Sequence, residues 1–174
     1  GLAFIPEDRL RTGLSPSLPI YGNLALKGYR RPPMSSGPLL RYRVIRAHAE
    51  ALVARFGIKT PSIDTPTRVL SGGNVQKVLL AREIGANPHV LIASTPTRGL
   101  DVGAIETVRS VLMEAARNGT GVLLITEDLD EAMALAHRLV VMFEGRIAGE
   151  FTRGDYDIEK IGLLMGGHGQ EESA

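Results

Sequence analysis

The 174-residue chain has no cysteine, which excludes a disulfide-stapled scaffold, a thiolate nucleophile and a zinc ribbon. A reducing compartment is the expected home. No charge of one sign dominates: 20 Lys and Arg stand against 19 Asp and Glu, for a formal net charge of +1. Composition therefore offers no bulk reason to expect nucleic acid or membrane lipid as a partner. Long hydrophobic runs are missing as well. The apolar stretches Val90 to Ala93, Val122 to Ile125 and Leu139 to Phe143 fall far below the roughly 18 to 20 residues needed to cross a bilayer. Nor does the start carry a signal-peptide pattern, although the chain opens at Gly1 without a methionine. What is present is 44% hydrophobic and 22% charged side chains, enough for an ordinary globular core and incompatible with collagen or wholesale disorder.

Short apolar runs predict buried strands at Leu2 to Ile5, Val90 to Ser94, Val122 to Thr126 and Leu139 to Phe143, with a last strand near Arg146 to Phe151. Helical patterns lie between most of them. Ile105, Val108, Leu112 and Ala115 form one apolar stripe on a helix that Asn118-Gly119 ends. Asp128 and Glu131 stand in the arrangement of a capping box at the start of a helix reaching His137. Alternating strands and helices predict an α/β fold with a mainly parallel sheet. The Glu144-Gly145 turn predicts an antiparallel hairpin closing that sheet, followed by a helix around Asp155 to Met165 and a frayed tail from Gly166 to Ala174. Between Arg9 and Ala86 the chain changes character, with a Pro/Gly/Ser-rich stretch at Gly28 to Pro38 and helices near Leu39 to Phe56 and Asn74 to Gly85. The expected organisation is a core sheet from residues 1–8 and 87–151, an inserted helical subdomain at 9–86, and a C-terminal helix and tail at 152–174.

Several candidate sites have ordinary explanations. His48, His89, His137 and His168 show no metal-ligand spacing, so no metal site is expected of this chain. Asp128, Asp130 and Glu131 suit a helix N-terminus electrostatically. Arg30, Arg31, Arg41, Arg43 and Arg46 form a basic run without an aromatic platform or recognition motif, which reads as a solvated helix face rather than a nucleic-acid surface.

The most informative residues are Leu70-Ser71-Gly72-Gly73-Asn74-Val75-Gln76, a hydroxyl and two glycines where a helix begins. Such a start exposes backbone N–H groups at the positive end of the helix dipole and can hold a phosphate. Taken alone, the same residues describe an N-capped helix after a loop. Further on, VLIASTPTRGLD from Val90 to Asp101 is a buried strand that emerges into a turn and starts a helix.

Here the chain resembles the ATP-binding subunits of ABC transporters. Leu70 to Gln76 match the family's signature motif, Val90 to Thr95 its Walker B strand, Arg98 to Asp101 its D-loop, and Leu2 to Arg9 its Q-loop strand. The order and spacing match, and the resemblance covers nearly the whole chain. It is nearest to the C-terminal nucleotide-binding half of duplicated ATPases that drive bacterial sugar and nucleoside uptake. Arg98-Gly99-Leu100-Asp101 differs from the Asn-His-Leu-Asp expected of the translation-associated branch. The implied fold is a partial ABC-type, RecA-like sheet with an inserted helical signature subdomain.

The resemblance also implies what is missing. A phosphate-cradling loop needs G-x-x-x-x-G-K-[ST], and no Gly-Lys pair occurs in the chain. In the family that loop lies upstream of the equivalent of Gly1, so a truncated chain with weak ATP binding in isolation is expected. Ser94 and Thr95 stand where the family usually has Asp-Glu, Glu127 where most relatives have a switch histidine, and Glu7 where a Q-loop glutamine is usual. A hydroxyl is a poor base for water at neutral pH and a poor Mg²⁺ ligand, so the catalytic positions look degenerate. The signature is intact at Leu70, Ser71, Gly72, Gly73 and Gln76. With Asn74, Asp101 and Glu7, these are the expected nucleotide-contacting positions.

The implied function is coupling of ATP binding and hydrolysis to sugar or nucleoside import, with the signature supplied to a partner half's ATP site. The cofactors are then ATP and Mg²⁺ in the complete assembly. The implied partners are the other nucleotide-binding half, membrane-spanning permease subunits facing the inserted region and, indirectly, an extracytoplasmic solute-binding protein. The implied location is peripheral, on the cytoplasmic face of the bacterial inner membrane. A sheet lacking its neighbours predicts self-association. A different class of function is a non-catalytic module that completes or regulates a partner's ATPase. Nucleic-acid maintenance by an LSGG-type ATPase would require a coiled-coil insertion, which these residues lack.

Overall fold

The computed structural model describes residues 1–168. Two compact units emerge, Gly1–Ile125 and a second from Thr126 onward. The first is built on three parallel strands: β1 (Leu2–Ile5), β4 (Val90–Ser94) and β5 (Gly121–Ile125), in the order β1-β4-β5. Leu2 lies opposite Val90 and Val90 opposite Gly121, so the three strands run in step. Between β1 and β4 come α1 (Ile20–Ala25), the two-residue strands β2 (Ser35–Ser36) and β3 (Leu39–Leu40), α2 (Tyr42–Arg55) and α3 (Gly72–Ile84); α4 (Val102–Arg117) joins β4 to β5. This is the parallel α/β arrangement that the alternating pattern predicts.

The core lies on one face of the sheet. Ala3, Ile5, Leu91 and Ala93 are buried there, together with Val75, Val78, Leu79 and Leu80 of α3 and Val108, Leu112 and Ala115 of α4. On the opposite face Leu2, Phe4, Val90, Leu123 and Ile125 are 43–65% exposed. Parallel sheets are normally covered on both faces, so this apolar face stands out.

A buried carboxylate, Glu83 of α3, closes the outer edge of β1. Its Oε2 accepts the Phe4 N–H at 3.0 Å, its Oε1 accepts from Arg82 Nε at 2.9 Å, and Lys27, just past α1, pairs with Oε2. Strand, signature helix and inserted region therefore meet at one ion cluster.

The inserted region contains more structure than its sequence suggests. The helix predicted from Leu39 begins at Tyr42, because Leu39 and Leu40 pair with Ser36 and Ser35. α1, too short to show a periodicity, is anchored by the fully buried Asn23. Its Oδ1 accepts from Ser15 N at 2.8 Å and its Nδ2 donates to Ser15 O, Leu18 O and Thr67 Oγ1. Arg46 of α2 grips Asp64 with its two terminal guanidinium nitrogens, at 2.6 and 2.7 Å, and holds that carboxyl down at about 2.

The second unit contains α5 (Leu129–Leu135), β6 (Arg138–Phe143), β7 (Arg146–Thr152) and α6 (Ile158–Met165). β6 and β7 form the predicted hairpin, turning at Glu144 and Gly145 with φ of 47° and 77°, the signs a tight two-residue turn requires. The hairpin is a sheet of its own and does not extend the parallel one; alternation and a turn signal fix which strands pair locally but not which sheet they join. Leu139, Val141, Ile161 and Leu164 form its core. Asp128 caps α5 through the Glu131 N–H at 3.0 Å, while its own N–H donates to Thr126 Oγ1. The predicted tail falls mostly on residues 169–174, outside the described residues.

Candidate functional site

α3 begins with an unusual N-terminus. Ser71 occupies the cap position with extended backbone (φ −63°, ψ 154°), yet its side chain makes no capping hydrogen bond. Instead, Ser71 Oγ accepts from Asn74 Nδ2 at 2.9 Å, while Asn74 Oδ1 accepts from the Lys59 N–H at 2.8 Å. The second bond fixes the orientation of the Asn74 amide, since only its oxygen can accept from Lys59. Ser71 consequently keeps its own hydroxyl hydrogen available for donation. Among the described residues, no side chain caps the first turn, and Ser71 and Gly72 are exposed. The amides of Gly72, Gly73 and Asn74 are the orphan donors of a thirteen-residue helix and carry its positive end.

Two glycines serve two purposes here. A Cβ on Gly73 would lie 3.1 Å from the Ala104 Cβ and 3.9 Å from Asp101 Oδ2, so Gly73 lets α3 sit against the first turn of α4. A Cβ on Gly72 would lie 3.6 Å from Arg9 Nη1 and 3.9 Å from Leu100 Cδ2. Asp101 in turn caps α4, accepting the Ala104 N–H at 2.9 Å. The structure thus gathers Gly72, Gly73, Asp101, Glu7 and two arginines that sequence reasoning did not place there, Arg9 and Arg98. Arg98 pairs with the Glu7 carboxylate, and Arg9 donates to the Arg98 carbonyl. Partial burial pushes the Arg9 guanidinium below its ordinary value. The only available sequence signal was that Glu7 and Arg98 carry opposite charges in two loops expected to lie near nucleotide.

Two other predicted positions of the first unit are less open. Leu70 is half-buried and ends the 3₁₀ turn Thr67–Val69. Gln76 faces the interior, fully buried, with neither amide atom hydrogen-bonded. A buried unpaired amide costs about 1–3 kcal/mol, so Gln76→Met is expected to raise stability by about 1 kcal/mol in urea titration; a loss of stability would show that the amide is paired. Glu127 is exposed, at the start of the second unit.

Ser94 and Thr95 end β4. Thr95 has φ of 42°, a strained conformation for a β-branched residue, and its hydroxyl is buried without a partner. Its N–H donates to Ile125 O at 2.7 Å. No group of three or more His, Cys, Asp or Glu that could hold a metal ion occurs among the described residues. The hydroxyls at the end of β4 do not fit a Mg²⁺ site, whereas the first turn of α3, with its amides and hydroxyl, fits a phosphate.

No protein-family model matches the chain. Across 97% of its length the chain is 46% identical to the glucose import ATP-binding protein TsgD13 of Haloferax volcanii, covering 31% of that protein. It is 42% identical over 99% of its length to the guanosine import ATP-binding protein NupO of Bacillus subtilis, covering 34% of it. It is 39% identical over 97% of its length to the ribose import ATP-binding protein RbsA 2 of Rhizobium meliloti, covering 33% of it. The chain therefore spans about a third of the length of the curated relatives it matches. Among solved structures, the dimeric ATP-binding cassette MJ0796 bound to ADP and Pi superposes with a TM-score of 0.73 at 21% identity, over 89% of this chain and 64% of that one. The cbiO1 protein of Clostridium perfringens, part of the ABC transporter complex cbiONQ, superposes at 0.66 with 26% identity, over 88% and 57%.

Proposed function

We propose, for a chain that is a partial domain of the ATP-binding-cassette family, that it presents the first turn of α3 to the phosphates of an ATP held chiefly by another nucleotide-binding half. The observation that carries this reading is the unused cap: Ser71 keeps a hydroxyl hydrogen to donate, and the Gly72, Gly73 and Asn74 amides point out of an exposed helix end. Gly72 and Gly73 leave no side chain between those amides and an incoming anion. Asp101 and Ala104 support the turn from below. In the complete assembly ATP with Mg²⁺ supplies the phosphoryl chemistry; the residues of this chain bind and orient. With hydroxyls at 94 and 95, the chain's own half-site is weak, and the metal is held elsewhere.

The whole subunit then couples ATP hydrolysis to import of a sugar or nucleoside, at the cytoplasmic face of the membrane. Among the described residues no helix is long and apolar enough to cross a membrane. In this reading the partners are permease subunits, with an extracytoplasmic solute-binding protein acting through them. The inserted region 9–86 supplies the docking surface: Leu39 and Tyr42 are 71% and 58% exposed, beside Arg41 and Arg43. The open apolar face of the β1-β4-β5 sheet supports self-association of the isolated chain. The hydroxyls of Ser94 and Thr95 also suit a second reading, a non-catalytic module that completes a partner's ATPase.

Calorimetric titration with Mg-ATP tests the reading. The chain alone is expected to give no measurable heat, and binding with hydrolysis is expected once a half carrying an intact phosphate loop is added. Tight binding by the chain alone would place the nucleotide site elsewhere. Binding on mixing without hydrolysis would favour the second reading.

A further inference from the structure

We propose that Arg98 is a positioning residue that clasps the loop after β1 to the loop leading into α4, and so fixes the ledge on which the first turn of α3 rests. Arg98 is held twice by the same short segment. Its guanidinium pairs with the Glu7 carboxylate, and its carbonyl accepts from the Arg9 guanidinium. These partners are 91 and 89 residues away in sequence, so the two contacts form only in the folded chain.

Pro96 and Thr97 are buried where the loop begins, but around Arg98 the backbone-to-backbone hydrogen bonds are local. Arg98 N donates to Thr95 O at 3.2 Å and Leu100 N to Thr97 O at 3.1 Å, both local turns, and Gly99 has φ of 67°. Beyond it, Leu100, Asp101 and Ala104 are the groups that approach Gly72 and Gly73. Arg9 reaches the same place, its Nη1 lying 3.6 Å from where a Gly72 Cβ would stand. A shift of the Arg98 loop is therefore felt at the α3 amides. Charge explains why position 7 carries a carboxylate: a glutamine there would leave Arg98 without its counter-ion. The pair is exposed, at 64% and 52%, and such pairs contribute little to global stability. Its effect is on local geometry. Only the consequence for nucleotide rests on the proposed function above.

Amide hydrogen exchange on the 174-residue chain tests the clasp. Arg98→Glu sets two carboxylates against each other and is expected to speed exchange at the Leu100 and Ala104 amides by about fivefold to tenfold through local opening. Glu7→Gln, nearly isosteric, should give a smaller increase at the same amides. The double exchange of charges, Glu7→Arg with Arg98→Glu, should return both amides to within about twofold of wild type. Raising the salt to about 1 M should speed these amides in the wild type and not in Glu7→Gln, because the screened pair is gone. Rescue by charge exchange and loss of salt sensitivity are outcomes that side-chain bulk alone does not produce.

Unchanged exchange in Arg98→Glu, or a double variant as fast as that single one, would overturn the proposal. Failure of the clasp and failure of the phosphate reading are separable. If charge exchange restores protection but Ser71→Arg leaves assembly turnover intact, the clasp stands and the phosphate site does not. The reverse pair of results removes the clasp alone.

Discussion

Ser71→Arg is expected to lower ATP turnover of the complete assembly by at least about a hundredfold, the scale on which loss of a single oxyanion donor acts. Ser71 and Gly72 lie exposed at the α3 N-terminus, so an arginine is accommodated without unfolding the chain. Its guanidinium would lie across the Gly72 and Gly73 amides and occupy the space a phosphate needs. It would also remove the acceptor that now holds Asn74 Nδ2. Ser71→Ala separates the phosphate reading from simple capping. If Ser71 were a cap, alanine would destabilise by roughly 1 kcal/mol. Because the hydroxyl makes no capping bond, the expected loss in urea titration is below about 0.5 kcal/mol, while turnover still falls. Wild-type turnover in Ser71→Arg would remove the mechanism.

The parallel strands were legible because each is a short apolar run between turn signals, and β1 and β4 start and stop where those runs do. The α4 stripe was equally plain, with Val108, Leu112 and Ala115 buried as their spacing requires. α1 was not, because six residues give too little periodicity and its stability comes from Asn23, a long-range polar anchor. At the site, the glycines and hydroxyl were visible from the chemistry of a helix start, but the detour of Ser71 to Asn74 was not. It depends on Lys59, fifteen residues back, reaching Asn74 in the folded chain. The contacts of Arg98 with Glu7 and Arg9 were invisible for the same reason. Local sequence reports spacing along an element, whereas these contacts depend on how distant loops meet.

Glu83 was equally invisible as a functional group of the fold, and its removal should be the most destabilising single change in the first unit. The carboxylate is 1% exposed and accepts from Phe4 N–H and Arg82 while pairing with Lys27. Glu83→Ala leaves a strand amide without its acceptor and the Arg82 guanidinium, itself only 10% exposed, without its carboxylate. Breaking a buried pair from one side costs about 3–5 kcal/mol, a large part of a typical domain's roughly 5–15 kcal/mol. Glu83→Gln keeps an acceptor for Phe4 but loses the charge and turns the oxygen that accepts from Arg82 into a donor, so it should fall between alanine and wild type. A second effect follows from where the carboxylate sits. By occupying the outward Phe4 N–H, Glu83 keeps the outer edge of β1 from accepting another strand. Glu83→Ala should therefore both unfold at lower urea and, below that transition, scatter more light as concentration rises. A variant within about 1 kcal/mol of wild type would mean that Lys27 and Arg82 find other partners and that the edge is protected by something else.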